Sequence, residues 1–354
     1  MSADQEVLFY EMPGHEGNLG VITLNRPQVL NSLNPAMIHA MYGNLQRWAI
    51  DNSIKAVVIR AAEGRAFCAG GDLRMTYEYH QANKEAVLAF FRDEYQLNRL
   101  IFHYPKPYIA LLDGITMGGG VGISIHGSHR VATDRLLFAM PETGIGFFPD
   151  VGGSYFLPRL PGYSGFYLGL MGTRLISDDC VALGIAQNKI ASDSLQGLIE
   201  ALAQCSFGNK PRETVTEIIA PFAVSTKSST LLQQQSEIDE CFSKLTMEEI
   251  VNALAVSSSP LCEEAALMSA KKSPTSLKVS LSALQRGKDL DFDACMRQEF
   301  RLAQHFIMGH DFREGIRAVI IDKDQTPHWQ PSSLADVTDQ QVEKYFSPLS
   351  AELI

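Results

Sequence analysis

The sequence predicts an α/β fold with a largely parallel sheet, followed by a helical C-terminal region. Over roughly the first 190 residues, short apolar segments of strand length alternate with longer amphipathic segments, as in βαβ units. After about residue 194 strand patterning fades, and Glu, Gln, Lys, Leu and Ala become frequent. We therefore expect a core domain over residues 1–195 and a mostly helical region over residues 196–354 that packs on this core.

The first half of the core shows the alternation most clearly. Residues 21–24 are apolar and predict a strand. Asn34 and Pro35 then have the residue types of a helix N-cap and first turn. The apolar positions that follow predict one buried helix face: Met37, Met41, Leu45 and Trp48. Residues 55–60 predict the next strand, 83–102 a long helix, and 107–112 a further strand.

Three consecutive glycines follow the strand at 107–112 and open the next predicted helix. These are Gly118, Gly119 and Gly120. Without Cβ atoms, a substrate oxygen can approach their backbone N–H groups closely, and N–H groups at a helix start are unpaired and favour negative charge. A flexible turn is the alternative explanation.

A second glycine pair follows another predicted strand. Residues 65–73 read Arg-Ala-Phe-Cys-Ala-Gly-Gly-Asp-Leu and come shortly after the apolar run at 56–59. Gly70 and Gly71 thus expose a second backbone segment. Two N–H donors that point at one oxygen form an oxyanion hole, which stabilises the charge that develops in acyl and enolate chemistry.

Two carboxylates lie in glycine- and proline-rich sequence that is otherwise dominated by Phe, Met and Ile. They are Glu142, after Pro141, and Asp150, after Pro149. Carboxylates in apolar loops are candidates for chemistry. The alternatives are a solvated loop charge for Glu142 and a helix N-cap before residue 151 for Asp150.

Composition excludes several classes of function. The chain of 354 residues is 45% hydrophobic and 20% charged, which is typical of an enzyme with a substantial core. The net charge of −10 argues against a nucleic-acid or anionic-membrane surface. No apolar run approaches 18 residues and residues 1–6 are acidic, so we expect neither a spanning helix nor a signal or transit peptide, and we expect a cytoplasmic location.

Cysteine and histidine spacing gives no metal or disulfide signature. The six cysteines are far apart without a Cys-x-x-Cys motif, as expected for free thiols in a reducing compartment. Cys68 lies in the glycine loop, but no histidine is near it in sequence to activate a nucleophile. His126 and His129 do not make a convincing metal pair, and we expect no metal.

Several separated motifs together resemble those of the crotonase, or enoyl-CoA hydratase/isomerase, superfamily. They agree in order and spacing over roughly residues 7–335. The motifs are Leu-Asn-Arg-Pro at 24–27, Asn-Ser-Leu at 31–33, Ala-Phe-Cys-Ala-Gly-Gly-Asp at 66–72, Gly-Ile-Thr-Met-Gly-Gly-Gly-Val-Gly at 114–122, Pro-Glu-Thr at 141–143, Phe-Pro-Asp-Val-Gly-Gly at 148–153, and Gly-His-Asp-Phe-Arg-Glu-Gly-Ile-Arg-Ala at 309–318 with Asp-Lys-Asp at 322–324.

The resemblance implies a spiral of repeated ββα units and a set of site residues. It maps the two oxyanion-hole donors onto the N–H groups of Gly71 and Gly119, and it places the block at 311–324 near the active site. Substrate-binding positions implied with them are Gly70, Gly118 and Asp72. Coenzyme A contacts implied by it are Arg26, Asn31 and Lys323. Gln28 stands where the family often has lysine, so one phosphate contact is in doubt.

Two positions distinguish reactions within the family. A typical hydratase has a glutamate two residues after the triple glycine, where this chain has Gly122, and a glycine eight residues after the loop glutamate, where it has Asp150. The Glu142/Asp150 pair resembles the hydrolase members, which implies hydrolysis of a short-chain 3-hydroxyacyl-CoA thioester. The alternatives are a hydratase or isomerase, and an acyl-CoA-binding relative without turnover.

The residues leave the catalytic roles partly open. Glu142 is the candidate nucleophile or general base, and Asp150 is assigned as essential and polar. We expect no separate cofactor, since coenzyme A is part of the substrate. Homo-oligomer formation is possible.

Overall fold

The computed structural model describes residues 5–349 and 352–353, so the first four residues of the acidic N-terminus lie outside the described part. The described strands are β1 (Val7–Pro13), β2 (Asn18–Leu24), β3 (Ile54–Ala61), β4 (Ala66–Cys68), β5 (Tyr108–Leu112), β6 (Ile115–Met117), β7 (His129–Thr133), β8 (Leu137–Ala139), β9 (Leu175–Ile176) and β10 (Asn188–Ile190).

The described α-helices are α1 (Pro35–Ile50), α2 (Leu73–Ala82), α3 (Lys84–Phe102), α4 (Gly119–Gly122), α5 (Gly153–Phe156), α6 (Ser164–Met171), α7 (Ser177–Ala182), α8 (Leu195–Gln204), α9 (Pro211–Ile219), α10 (Thr230–Gln233), α11 (Gln235–Phe242), α12 (Met247–Val256), α13 (Pro260–Ser269), α14 (Pro274–Gly287), α15 (Phe292–Met308), α16 (Asp311–Ile316) and α17 (Asp339–Tyr345). In the described part, no helix is both long and apolar enough to cross a membrane.

The chain forms two compact units, each assembled from three segments. Unit 1 comprises Met1–Gly71, Gln96–Phe138 and Leu175–Ser229. Unit 2 comprises Asp72–Tyr95, Ala139–Arg174 and Thr230–Ile354. These boundaries differ from the division expected at residue 195, which followed the order of the chain. The expected helical C-terminal region is confirmed, because α8 to α17 fill it.

Unit 1 contains two sheets built by a repeated pattern. The large sheet has the order β1-β2-β3-β5-β7-β10, and the small sheet has the order β4-β6-β8-β9. Within the large sheet every described pair is parallel except β1 with β2. The consecutive pairs β3/β4, β5/β6 and β7/β8 each place one strand in the large sheet and the next in the small sheet. This repetition confirms the predicted α/β spiral.

Local sequence explains the early elements of unit 1. The Asn34 side chain accepts a hydrogen bond of 2.9 Å from the backbone N–H of Met37, as expected of an N-cap. All four predicted face positions of α1 are buried. Helices α8 and α9 cover one face of the large sheet through Leu198, Leu202 and Val215. The segment just beyond residue 195 therefore belongs to the sheet's own core.

Unit 2 is a helical assembly organised around α14. This helix contacts α5, α6, α12, α15 and α17. Aromatic side chains fill the space beside the loop that follows β8: Phe148 stacks on Phe306 with ring centroids 5.4 Å apart, and Phe147 lies 4.7 Å from Phe312. These rings exclude water from the segment that carries both candidate carboxylates.

Candidate active site

The triple glycine of unit 1 opens a short helix, as predicted. Gly118 precedes α4 with a positive φ of 48°, and its carbonyl accepts the N–H groups of Val121 (2.8 Å) and Gly122 (3.1 Å). The N–H of Gly119 comes before the first of these helical bonds. It is therefore one of the donors that a helix start leaves for other partners.

The Gly70–Gly71 pair lies at the end of β4 and leaves a second N–H available. Leu33 faces Gly71 in a parallel bridge, and the Leu33 N–H donates to the Gly70 carbonyl at 2.8 Å. In a parallel bridge, one of the two facing residues uses both its N–H and its carbonyl for the bridge, and the other residue uses neither. Here Leu33 is the residue that bonds, so the Gly71 N–H stays outside the bridge.

The two glycine loops lie next to each other because β4 and β6 are neighbours in the small sheet. A Cβ atom added to Gly70 would lie 3.7 Å from the Gly119 nitrogen and 3.4 Å from the Met117 carbonyl oxygen. Gly70 also has a φ of 113°, which side chains other than glycine rarely adopt. The structure thus brings the two predicted donor segments together. Their function as an oxyanion hole stays a prediction.

Gly120 fixes the distance between these segments. A Cβ atom there would overlap the carbonyl oxygen of Cys68, so the start of α4 packs directly on the backbone of β4. Only glycine permits this approach.

Glu142 is a buried acid of unit 2, and its interpretation as a solvated loop charge is wrong. It begins a 3₁₀ turn over Glu142–Ile145, directly after Pro141, and only 5% of its surface is exposed. Its Oε2 has no hydrogen-bond partner among the described residues. Burial, and then the charge of Asp150, hold the pKa of Glu142 well above its usual range.

Asp150 is equally buried and is tied to a tyrosine. The Tyr95 hydroxyl donates to its Oδ2 at 2.8 Å. Burial raises the pKa of Asp150 to about 7, while the bond from Tyr95 opposes the rise. The N-cap interpretation of Asp150 is wrong, because α5 begins at Gly153 with Gly152 as its cap.

Further buried polar groups of unit 2 surround this pair, and the sequence did not indicate them. Glu94 of α3 is fully buried with an unpartnered Oε1 among the described residues, and burial followed by the Asp150 charge raises its pKa well above normal. Glu299 of α15 is also fully buried. Both acids lie on the apolar stripe of an otherwise amphipathic helix, which is the signal that could have found them.

Lys272 is a cation beside the Glu142 turn. A Cβ atom on Gly144 would lie 3.2 Å from its Nζ. Burial lowers the pKa of Lys272 to about 8, and the Glu142 charge opposes that shift. By reciprocity its ammonium favours the ionised form of Glu142.

The candidate coenzyme A residues of unit 1 are engaged within the fold. Arg26 forms an ion pair of 2.9 Å with Glu6 and donates to the Ser32 carbonyl at 3.0 Å. Asn31 accepts from the Arg26 N–H and donates to the Ala66 carbonyl at 2.9 Å. These bonds hold the segment against β4. Any additional contact with a ligand stays a prediction.

The remaining candidates lie in unit 2. Asp72 is the N-cap of α2 and accepts from the Met75 N–H at 3.1 Å. Lys323 is exposed, with a φ of 58°. The predicted proximity of the 311–324 block to the site is seen for α16: a Cβ atom on Gly146 would overlap the Asp311 carbonyl. The block therefore packs on the turn that begins with Glu142.

The cysteines and His129 occupy structural positions. All six cysteines are free and buried, as expected, although the sulfurs of Cys241 and Cys262 approach to 3.5 Å. The His129 ring contacts Ser128 and Thr216. Among the described residues no group of three or more His, Cys, Asp or Glu side chains is arranged to hold a metal ion.

Comparison with known proteins gives consistent matches over most of the chain. The family model described as enoyl-CoA hydratase/isomerase matches residues 19–346. A rat protein named mitochondrial 3-hydroxyisobutyryl-CoA hydrolase is 45% identical over 340 residues, covering 95% of this chain and 88% of its own length. The human protein of that name is 43% identical over 354 residues, covering 99% and 90%.

A solved structure matches the fold almost completely. A carnitinyl-CoA dehydratase from Mycobacterium thermoresistibile superposes with a TM-score of 0.91 at 38% identity, covering 99% of both chains. Proteins with hydrolase and dehydratase names thus share this architecture. The reaction must be inferred from the site residues, because one fold supports several chemistries.

Proposed function

Since the chain belongs to the enoyl-CoA hydratase/isomerase family, we propose that it hydrolyses the thioester of a short-chain 3-hydroxyacyl-CoA, with 3-hydroxyisobutyryl-CoA as the first candidate. The observation that carries this proposal is the buried pair Glu142 and Asp150, combined with Gly122 where a hydratase would need a second acid. The relatives named as 3-hydroxyisobutyryl-CoA hydrolases support it. The reaction would then serve valine breakdown.

The first step is polarisation of the thioester carbonyl. In the proposed reaction its oxygen accepts hydrogen bonds from the N–H groups of Gly71 and Gly119. Negative charge develops on this oxygen when the carbonyl carbon becomes tetrahedral, so both bonds strengthen in the transition state. Each such donor supplies about 3–4 kcal/mol in comparable enzymes.

Glu142 acts in its ionised form, by one of two routes. As a base it takes a proton from water, the hydroxide attacks the carbonyl carbon, the C–S bond breaks and the proton passes to the departing sulfur. As a nucleophile its oxygen attacks the carbon, coenzyme A leaves, and water opens the resulting anhydride. Lys272 assists either route by favouring the carboxylate. The raised pKa of Glu142 means that the rate falls as pH drops through it.

Asp150 supplies the second polar function. With a pKa raised to about 7, it is partly protonated near neutral pH and is suited to donate a proton to the departing thiolate. The same carboxyl is suited to bind the 3-hydroxyl of the substrate. We propose contacts of Gly70, Gly118 and Asp72 with the acyl part, and of Arg26, Asn31 and Lys323 with coenzyme A, as the family resemblance implies.

The decisive experiment compares two assays on the purified protein. Thiol release from 3-hydroxyisobutyryl-CoA measures hydrolysis, and the absorbance change of crotonyl-CoA measures hydration. We expect thiol release without hydration, and loss of thiol release in Asp150→Gly. Hydration is expected at most in the double variant Asp150→Gly with Gly122→Glu. A folded Asp150→Gly protein with near wild-type hydrolysis would remove the main ground for a hydrolase.

Isotope transfer separates the two routes of Glu142. In a single turnover in H₂¹⁸O, the base route places ¹⁸O only in the acid product. The anhydride route also places ¹⁸O in the Glu142 carboxyl whenever water attacks its side of the anhydride. Mass spectrometry of the peptide containing Glu142 measures this label.

The proposal includes three simpler properties. Hydrolysis needs no cofactor beyond the coenzyme A of the substrate, so dialysis against a chelator should leave the rate unchanged.

Homo-oligomer formation is tested by light scattering coupled to size-exclusion chromatography. A cytoplasmic location is tested by cell fractionation, in which a mitochondrial location, as in the names of the relatives, would contradict it.

A further inference from the structure

We propose that Glu299 is a positioning residue for Asp150: it fixes the backbone turn that follows Asp150 and so orients the carboxyl for the reaction. This inference rests on the proposed function, because it assigns Glu299 a task through Asp150. All the contacts that carry it lie within unit 2.

The turn after Asp150 is conformationally unfavourable. Val151 has a φ of 51° and Gly152 a φ of 88°, so two consecutive residues lie in the left-handed region. A β-branched residue such as Val151 is disfavoured there, since its Cβ substituents crowd the neighbouring backbone. Such a conformation persists only where surrounding contacts determine it, and it is found most often at functional sites.

Glu299 provides those contacts from α15, about 150 residues further along the chain. Its Oε2 accepts the Gly152 N–H at 2.7 Å. Its Oε1 accepts the Ser154 N–H at 2.9 Å and the Ser154 hydroxyl at 2.6 Å. One side chain thus binds the turn at three donors and links α15 to the first residues of α5.

Asp150 is consequently held from two directions. Its backbone is fixed by the turn, in which its own carbonyl accepts the Gly153 N–H at 2.8 Å. Its side chain is fixed by the hydroxyl of Tyr95 at 2.8 Å. Loss of either restraint leaves the other, so we expect the carboxyl to become misaligned while the fold is retained.

The burial of Glu299 favours a functional explanation over a purely structural one. Its side chain is completely buried, and burial raises its pKa to about 8 although three bonds oppose that rise. A buried carboxyl is a costly way to stabilise a turn, because an apolar residue with a different turn sequence achieves stability without desolvation. Precise placement of a neighbouring group is a benefit that offsets this cost.

Asp150 and Glu299 are also coupled through charge, since burial and, after it, the Asp150 carboxylate raise the pKa of Glu299. The titratable groups that surround Asp150 are Glu94 and Tyr95 on α3, Glu142 on its turn, and Glu299 on α15. All of them are acidic or neutral, so each charge that forms opposes ionisation of Asp150. Glu299, with a pKa of about 8, is mostly protonated where Asp150, with a pKa of about 7, ionises, so Glu299→Gln should leave the pKa of Asp150 nearly unchanged.

The test compares Glu299→Gln with the wild type. The amide keeps the shape but has one acceptor oxygen, so its NH₂ group must face either the Gly152 or the Ser154 N–H. We expect kcat for thiol release to fall roughly 10- to 100-fold with KM within about twofold, because geometry changes more than binding. We also expect the limb of the pH–rate profile that belongs to Asp150 to stay in place, because Glu299 is mostly neutral where Asp150 ionises.

Two further variants keep the inference falsifiable. Leu302→Ala removes a fully buried apolar side chain of the same helix, and should lower Tm without the change in kcat. Val151→Gly permits the positive φ without restraint. The loss of kcat caused by Glu299→Gln should therefore be smaller when it is introduced into Val151→Gly than when it is introduced into the wild type. Equal kcat losses in Glu299→Gln and Leu302→Ala at equal Tm loss would overturn the positioning role.

Amide exchange provides a readout that does not depend on activity. In Glu299→Gln the amide protons of Gly152 and Ser154 should exchange with solvent at least 10-fold faster, while amides in the interior of α14 stay protected. If wild type releases no thiol from any 3-hydroxyacyl-CoA, the proposed function fails, and exchange still reports on the turn. Unchanged protection at both amides would show that Glu299 does not fix it.

Discussion

The glycine loops of unit 1 and the acid cluster of unit 2 present different chemical groups. The loops offer backbone N–H groups, at Gly71 and Gly119, in a close packing that the fold itself requires. The cluster offers side chains, led by Glu142 and Asp150, whose burial opposes their ionisation. We infer that the glycine loops, the donor half of this comparison, contribute to stability, whereas the acid cluster, the acid half, costs stability in return for reactivity.

The largest effect is expected from Glu142→Gln. Loss of the carboxylate should lower kcat for thiol release by about 10³-fold, within the range for a lost general base or nucleophile. Acyl-CoA binding should change little, because the amide has the same size. Tm should stay equal or rise, since no buried charge has to form. Calorimetric binding, thiol release and thermal denaturation measure the three quantities. A large loss of Tm would show that the acid half also supports the fold.

Gly120→Ala tests the donor half, where we expect a loss of stability as well as a loss of activity. Its Cβ would overlap the Cys68 carbonyl, so we expect a loss of about 3 kcal/mol in the free energy of unfolding, typical of overpacking, together with lost activity. Gly43→Ala is the matched control: nothing lies within 4 Å of the added Cβ, and the residue lies inside α1. That change should stabilise by about 0.5–1 kcal/mol. Denaturant titration measures both; a neutral Gly120→Ala would contradict the close approach.

Tyr95→Phe sharpens the comparison within the acid half. It removes only the hydroxyl that donates to Asp150. We expect kcat to fall about 10- to 100-fold, equivalent to roughly 1.4–2.7 kcal/mol for a hydrogen bond to a carboxylate. The pKa of Asp150 should rise further, because this bond favours its charged form. A pH–rate profile shifted upwards would agree; an unshifted profile with normal kcat would not.

The smallest effect, taken per pH unit, is a dependence of stability on pH. Asp150 and Glu299 have folded-state pKa values raised to about 7 and about 8, above their ordinary values near 4. Groups of this kind stabilise the fold below their unfolded pKa, and the contribution is lost as pH rises through the folded pKa. Between pH 5 and pH 7, the free energy of unfolding of wild type should therefore fall more steeply than that of Asp150→Asn, by up to about 1.4 kcal/mol per pH unit. Denaturant titrations across this range measure the difference. Parallel curves would contradict it.

Prediction from sequence worked best for the backbone of the glycine loops. Residue type alone indicates exposed N–H groups at two places, Gly118 to Gly120 and Gly70 with Gly71. The strands that precede these glycines fix the position of the N–H groups in the fold. Asn34 at the start of α1 was read in the same way. Each of these features depends on residues within a few positions of one another, so short-range patterns contain the information.

The sequence by itself determined the α/β class and the positions of the glycine loops, because composition, periodicity and motif spacing are properties of local chain segments. The pairing of Glu142 with Asp150 came from the resemblance to the family. Only the tertiary structure decided the environment of that pair. Glu94 and Glu299 join the same cluster from helices whose sequences are those of ordinary amphipathic segments. Tyr95, 55 positions from Asp150 in the chain, donates a hydrogen bond to its carboxylate. Burial and electrostatic coupling are sums over neighbours in space, and packing brings those neighbours together from three separate segments of the chain.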